Sequence, residues 1–267
     1  MITKVNVVVN LSCSLSSTAL RKRVHLEVIL PSENLPENGK FPVVWLLHGL
    51  SDDDSCWRDF TSISRYAREL GFAVVMPDAG RSFYADMACG PRYWTFISEE
   101  LPETCRSLFP ISSLRNENFV AGLSMGGYGA LKLALNHPER FAGAAAFSAV
   151  ADIRSWIENT AVKDVMLGLE MKMTFNSMDD ISRSNSDLFE LLDKHAEQKT
   201  VIPALFHVCG EDDFLIQHNR KFRDRMQALR FENYNYLEEP GVHNWEFWDR
   251  NIIRALKFFK ELQSANN

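Results

Sequence analysis

Apolar residues recur along this chain in two rhythms: short runs rich in β-branched residues, and longer stretches with helical spacing. Residues 4–10 and 23–30 read as two opening strands parted by a polar loop, a pattern that suits an antiparallel pair. Pro31 to Gly39 reads as a surface loop. The rhythm then becomes regular: PVVWLL (42–47), a helix over 57–70, AVVMP (73–77), a helix over 92–108, NFVAG (118–122), a helix over 125–136 and AGAAAFSA (142–149). Near-continuous apolar runs separated by amphipathic helices describe a mostly parallel sheet with helices on both faces. Residues 150–199 break the rhythm, being polar, without an obvious strand, and rich in methionine (Met166, Met171, Met173, Met178). We read them as a helical insertion beside the functional edge of the sheet. Alternation resumes with VIPALFHVCG (201–210), a helix over 214–229, a strand near 232–238 and a closing helix over 244–262. No repeat, low-complexity tract or linker interrupts the 267 residues, so a single α/β domain over 1–267 is expected.

Composition narrows the function. An apolar fraction of 46% suffices for a substantial core, and a net charge of -6 without a basic block argues against nucleic acid. Membrane partners are not expected either, because no run of about 18 uncharged apolar residues occurs. The segment MITKVNVVVNLSCSLSSTALRKR carries its basic cluster after its apolar run, which is not the order of a signal peptide. Cys13, Cys56, Cys89, Cys105 and Cys209 are odd in number and include no CxxC pair, so free thiols and a cytoplasmic location are expected. Asp52-Asp53-Asp54 lacks the alternating ligand spacing of a calcium loop and reads as a solvated loop. There is no glycine-rich phosphate cradle, and no metal or cofactor is called for.

The chemistry is expected at Gly122-Leu-Ser124-Met-Gly126, a G-x-S-x-G pattern with a strand leading in and a helix leading out. Such a joint needs small neighbours around a strained serine and displays the serine at the end of the sheet. A serine hydroxyl becomes a nucleophile only when a base takes its proton, and that base needs an orienting acid. Of His195, His207, His218 and His243, the last stands on a strand-to-helix loop at the same edge as Ser124. The acid is expected in Glu211-Asp212-Asp213, just past the strand at 201–209, and spacing does not choose among the three. Oxyanion donors are expected from the amide of Met125 and from the loop Leu47-His48-Gly49-Leu50-Ser51, with Leu50 as the second donor and His48 orienting the loop.

Taken together, HGL near residue 48, GLSMGGYGAL around Ser124, GEDDF near 213 and GVHNWEFW around 243 resemble the esterase D family. PRYWTFISEELPETCRSLFP (91–110) also resembles the family's segment before the nucleophile strand, so the likeness covers nearly the whole chain. The resemblance implies an α/β-hydrolase fold with a mostly parallel sheet of about eight strands. It implies a serine esterase in which Ser124 is the nucleophile, His243 the base and Asp213 the acid. Within the family the chain looks closest to bacterial tributyrin esterases, which implies a small-molecule acyl ester as substrate. S-formylglutathione hydrolases carry a longer segment where this chain has only DAGRSFYADMACG (78–90), a departure that argues against the glutathione thioester; thioester cleavage and acyl transfer to an alcohol are kept as the alternatives. A homo-oligomer is left open, and a non-catalytic scaffold is disfavoured by the complete residue set. Trp57, Tyr84, Trp94 and Trp245 fall near the catalytic edge and are candidates for lining an acyl pocket. The methionines of 150–199 could cover the acyl chain or simply pack.

Overall fold

The computed structural model describes residues 8–31 and 39–265. The opening residues 4–7 and the loop residues 32–38 considered above lie outside this description. Strand β1 (Val8–Ser17) pairs antiparallel with β2 (Lys22–Pro31) through a turn in which Arg21 has a φ of 54°. The polar stretch after residue 10 is therefore strand, not loop. Ser12, Ser14 and Ser16 occupy the exposed side of a strand whose alternate residues are half-buried.

The remaining strands are β3 (Val43–Leu47), β4 (Ala73–Pro77), β5 (Asn118–Leu123), β6 (Gly143–Phe147), β7 (Ala204–Gly210) and β8 (Tyr234–Glu239). They form an eight-stranded sheet in the order β1-β2-β4-β3-β5-β6-β7-β8, parallel from β4 to β8. Core strands are buried on both faces. Val43, Trp45 and Leu47 join one hydrophobic layer, while Val44 and Leu46 join the other. This two-sided burial explains why the sequence runs are apolar without alternation.

Helices α1 (Cys56–Phe60), α2 (Ile63–Leu70) and the closing α11 (Trp245–Ala265) contribute to one layer. On the other side lie α3 (Tyr93–Thr95), α4 (Leu101–Leu108) and α5 (Met125–Asn136), with α9 (Leu188–Gln198) and α10 (Ile216–Ala228). Phe96–Glu100, between α3 and α4, is wound as a π-helix. Pro102 has no N–H to give, and the Ser98 carbonyl one turn earlier instead accepts Arg140 Nη1 at 2.6 Å. The segment between β6 and β7 holds α6 (Ile153–Lys163), α7 (Val165–Phe175), α8 (Met178–Arg183) and α9. Among the described residues no helix is long and apolar enough to cross a membrane, and all five cysteines are free.

Candidate active site

Four loops leave the carboxyl ends of β3, β5, β7 and β8 and meet at one rim of the sheet. In open parallel sheets this is where strand ends leave a crevice for ligands. The β5 loop is a single residue. Ser124 follows Leu123 directly and precedes α5, with a φ of 53° and a ψ of -115°. That left-handed backbone is strained for a residue with a side chain. It is held by close approach on both sides: a Cβ on Gly122 would collide with the Gly126 carbonyl, and a Cβ on Gly126 with the Leu47 and His48 carbonyls. Only 8% of Ser124 is exposed.

After β7 the chain turns so that Asp213 is buried while Glu211 and Asp212 stay exposed. The Asp213 carboxylate accepts the Leu215 amide at 2.8 Å and lies 2.9 Å and 3.1 Å, through its two oxygens, from His243 Nδ1. The fold thus selects among three adjacent acids that spacing had left equal. His243 is flanked by Phe214, with ring centroids 4.5 Å apart, and meets Trp248 edge-on at 4.9 Å. Phe214 is 65% exposed at the mouth of the crevice.

The β3 loop is fixed from beneath by His48. Its Nδ1–H donates to the Gly49 carbonyl at 2.7 Å, and its Nε2 accepts the Ala79 amide at 2.9 Å. This pairing specifies the neutral tautomer, and burial lowers the affinity of the ring for a second proton. Asp52 accepts the Gly49 amide at 3.1 Å, and burial raises its carboxyl above the usual range. The expected solvated loop is therefore corrected at Asp52, which is half-buried and lines the cleft, whereas Asp53 caps the turn at Ser55.

Ser124, His243, Leu50, Asp52 and Trp245 share one cleft of about 420 Å³ with Phe83, Val150, Trp156, Phe214 and Trp248. Trp57 and Tyr84, expected in its lining, are instead fully buried at 0% exposure. The Trp57 indole donates to the Leu47 carbonyl at 3.0 Å and supports Trp245 from behind, with ring centroids 5.2 Å apart. Tyr84 donates its hydroxyl to the His48 carbonyl at 2.9 Å, underneath the loop. Both failed as lining candidates because a loop position does not reveal which way its side chain points. Phe83 and Tyr84 are consecutive left-handed residues, with φ of 49° and 50°, and both are fully buried, Phe83 against the cleft floor beside Trp156 and Tyr84 beneath the β3 loop. Trp94 stacks on His137, outside the cleft lining.

Sequence reasoning did not single out Trp156, Phe214 or Trp248. The available signals were the aromatic position next to Asp213 and the Trp245/Trp248 pair at helical spacing. Of the insertion's methionines, Met171 is buried and Met166 and Met173 are exposed, and none lines the cleft.

Comparison with known proteins agrees with this architecture. Residues 17–259 match the esterase family model described as "Putative esterase". An acetyl esterase of Caldicellulosiruptor saccharolyticus is 30% identical over 258 residues, covering 92% of this chain and 96% of that protein. Among solved structures, the fluorophosphonate-binding serine hydrolase FphF of Staphylococcus aureus is similar with a TM-score of 0.85 and 33% identity, covering 95% of this chain and 98% of that one. The S-formylglutathione hydrolase FrmB of Staphylococcus aureus is similar with a TM-score of 0.83 and 32% identity, covering 95% and 99%. The chain belongs to this esterase family, the esterase D-like branch of the α/β-hydrolases, and is a carboxylic ester hydrolase.

Proposed function

We propose that this chain is a serine carboxylesterase that cleaves short-chain acyl esters through an acyl-enzyme, with Ser124, His243 and Asp213 as its catalytic triad. The observation that carries the reading is the buried Asp213 carboxylate 2.9 Å from His243 Nδ1, in a molecule whose strained Ser124 opens into the same cleft as His243. With Nδ1–H committed to the carboxylate, Nε2 is the nitrogen left to take a proton. In this mechanism Ser124 Oγ attacks the ester carbonyl as His243 Nε2 accepts its proton. The imidazolium is stabilised by Asp213 and then protonates the departing alkoxide. Water, deprotonated by the same nitrogen, attacks the acyl-serine; as the tetrahedral intermediate collapses, His243 returns that proton to Ser124 Oγ and the acid is released.

The developing oxyanion is held by the amides of Leu50 and Met125. Neither amide donates to a protein acceptor among the described residues, which leaves both available to a ligand. The aromatic walls of the cleft suit a small apolar acyl group, and the likeness to an acetyl esterase over 92% of the chain favours short acyl chains. We further propose one domain in which α6 to α9 form a cap-like insertion. Five unpaired cysteines suit a compartment that keeps thiols reduced.

The test is turnover of p-nitrophenyl acetate by the parent and by Ser124→Ala. The variant is expected to lose on the order of a thousandfold or more in kcat while unfolding at an unchanged temperature. Equal turnover by both proteins would refute the assignment. Thioester cleavage is the second reading, favoured by the likeness to an S-formylglutathione hydrolase. Assayed side by side, short p-nitrophenyl esters are expected to give the higher kcat/KM, and a faster S-formylglutathione reaction would reverse that order.

A further inference from the structure

Leu50 joins two peptide units, and each is held by a different part of the molecule. The first unit, Gly49 C=O with Leu50 N–H, is fixed by the buried His48 ring donating to the Gly49 carbonyl. The second begins at the Leu50 carbonyl, which accepts Arg81 Nη1 at 3.1 Å. Arg81 comes from the loop after β4. The other edge of its guanidinium is engaged by Glu170 of α7, with Nε at 3.0 Å and Nη2 at 2.8 Å from Oε2 and Nε at 3.2 Å from Oε1. The β3 loop, the β4 loop and the insertion therefore converge on one side chain.

An ion pair as open as this one, with 45% of the arginine and 35% of the glutamate side chain exposed, contributes little to folding. Its geometry is informative nonetheless. A guanidinium gripped by a carboxylate through two nitrogens has a fixed plane, and its remaining N–H then points in a fixed direction. Here that direction is the Leu50 carbonyl. With the peptide before Leu50 pinned by His48 and the peptide after it pinned by Arg81, both backbone torsions of Leu50 are restrained. The aim of its N–H is restrained with them. The C-terminal end of α7 is itself tied to the chain that follows β4, through the Ala88 amide to the Thr174 carbonyl at 3.0 Å and the Cys89 amide to the Met173 carbonyl at 2.8 Å.

We propose that Arg81 is a positioning residue for ester cleavage, transmitting the seat of insertion helix α7, through Glu170, to the Leu50 peptide that receives the oxyanion. The proposal rests on the reading of Leu50 as an oxyanion donor. Donors of this kind act only when aimed at the oxygen of the transition state, so a loosened loop lowers kcat more than it weakens substrate binding.

The experiment compares Arg81→Gln, Glu170→Gln and the double variant on p-nitrophenyl acetate, with Ser124→Ala as reference. Arg81→Gln is expected to lower kcat about tenfold with KM within about twofold, short of the hundredfold typical of losing a donor outright. Glu170→Gln is expected to lower kcat by less, and the double variant to match Arg81→Gln alone, because Glu170 acts only through Arg81. Arg81→Lys, which keeps the charge without the two-sided fork, is expected to recover only part of the loss. The inhibition constant of a boronic acid that mimics the tetrahedral state should rise by the same factor as kcat/KM falls. If Ser124→Ala is inactive and Arg81→Gln retains parental kcat, the positioning role is overturned while the serine mechanism stands. Additive losses in the double variant would overturn the relay through Glu170. A fully active Ser124→Ala would instead remove the reading beneath both.

Discussion

Helices α5 and α7 are both apolar stretches of similar length, MGGYGALKLALN and VMLGLEMKMTF, and the fold treats them in opposite ways. Every residue of α5 from Met125 to Leu135 is buried, Lys132 included. On α7 the side chains of Val165, Met166, Leu169 and Met173 are 73%, 68%, 49% and 49% exposed. Composition alone therefore does not set burial. What differs is the surroundings: α5 packs on β5, β6 and β3 and is covered by Tyr84 and α9, whereas α7 rests on the insertion and on the chain after β4. The helix that carries the strained serine at its start is enclosed on all sides, and that enclosure allows a backbone to be held away from its relaxed geometry.

Substitutions can break this contrast, and the largest effects are expected at the serine turn and at the acid that faces His243. Gly126→Ala drives a methyl group into backbone carbonyls that cannot move aside, so esterase activity should fall at least a hundredfold, measured on p-nitrophenyl acetate. Asp213→Asn should cripple turnover, on the order of a thousandfold or more, while Asp212→Asn on the exposed neighbour should stay within about twofold.

In stability, Leu133→Ala on α5 should lower the unfolding free energy in urea by about 2 to 5 kcal/mol, since the side chain is 2% exposed. Lys132 sharpens the comparison next. Its ammonium donates to the Tyr84 carbonyl at 3.1 Å and to Ser186 Oγ at 2.9 Å, over the ring of Trp94, and burial lowers its pKa from 10.5 to about 7. Between those two values the unfolded chain binds the extra proton, so stability rises with pH across that window and is lost as pH falls toward the folded value. Urea titrations should show a gain of about 2 kcal/mol between pH 7 and 9, and Lys132→Met should flatten it. The smallest effect belongs to α7, where Leu169→Ala should change stability by less than about 0.5 kcal/mol. A loss at Leu169 as large as that at Leu133 would mean that α7 is covered in solution.

Much of the fold could be read from local spacing. Strands buried on both faces are near-continuous apolar runs, and glycines at 122 and 126 mark a joint where two backbones approach too closely for a side chain. The same local information names Ser124 and His243 as candidates. It could not separate Asp213 from Asp212, because only the path of the chain after β7 decides which carboxylate turns inward. Trp57 and Tyr84 were misread for a related reason, since their direction is set by neighbours distant in sequence, the carbonyls of Leu47 and His48. Arg81 was invisible for the same cause. Its significance lies in meeting Leu50 and Glu170, 31 and 89 residues away along the chain.

The most direct trial of the mechanism is a rapid-quench reaction with p-nitrophenyl acetate, followed by mass analysis of the protein and its peptides. One acetyl group should appear on the peptide bearing Ser124 within the first turnover, and none in Ser124→Ala. Turnover without any acetylated protein in the parent, or acetyl on another residue at a rate matching product release, would contradict the account.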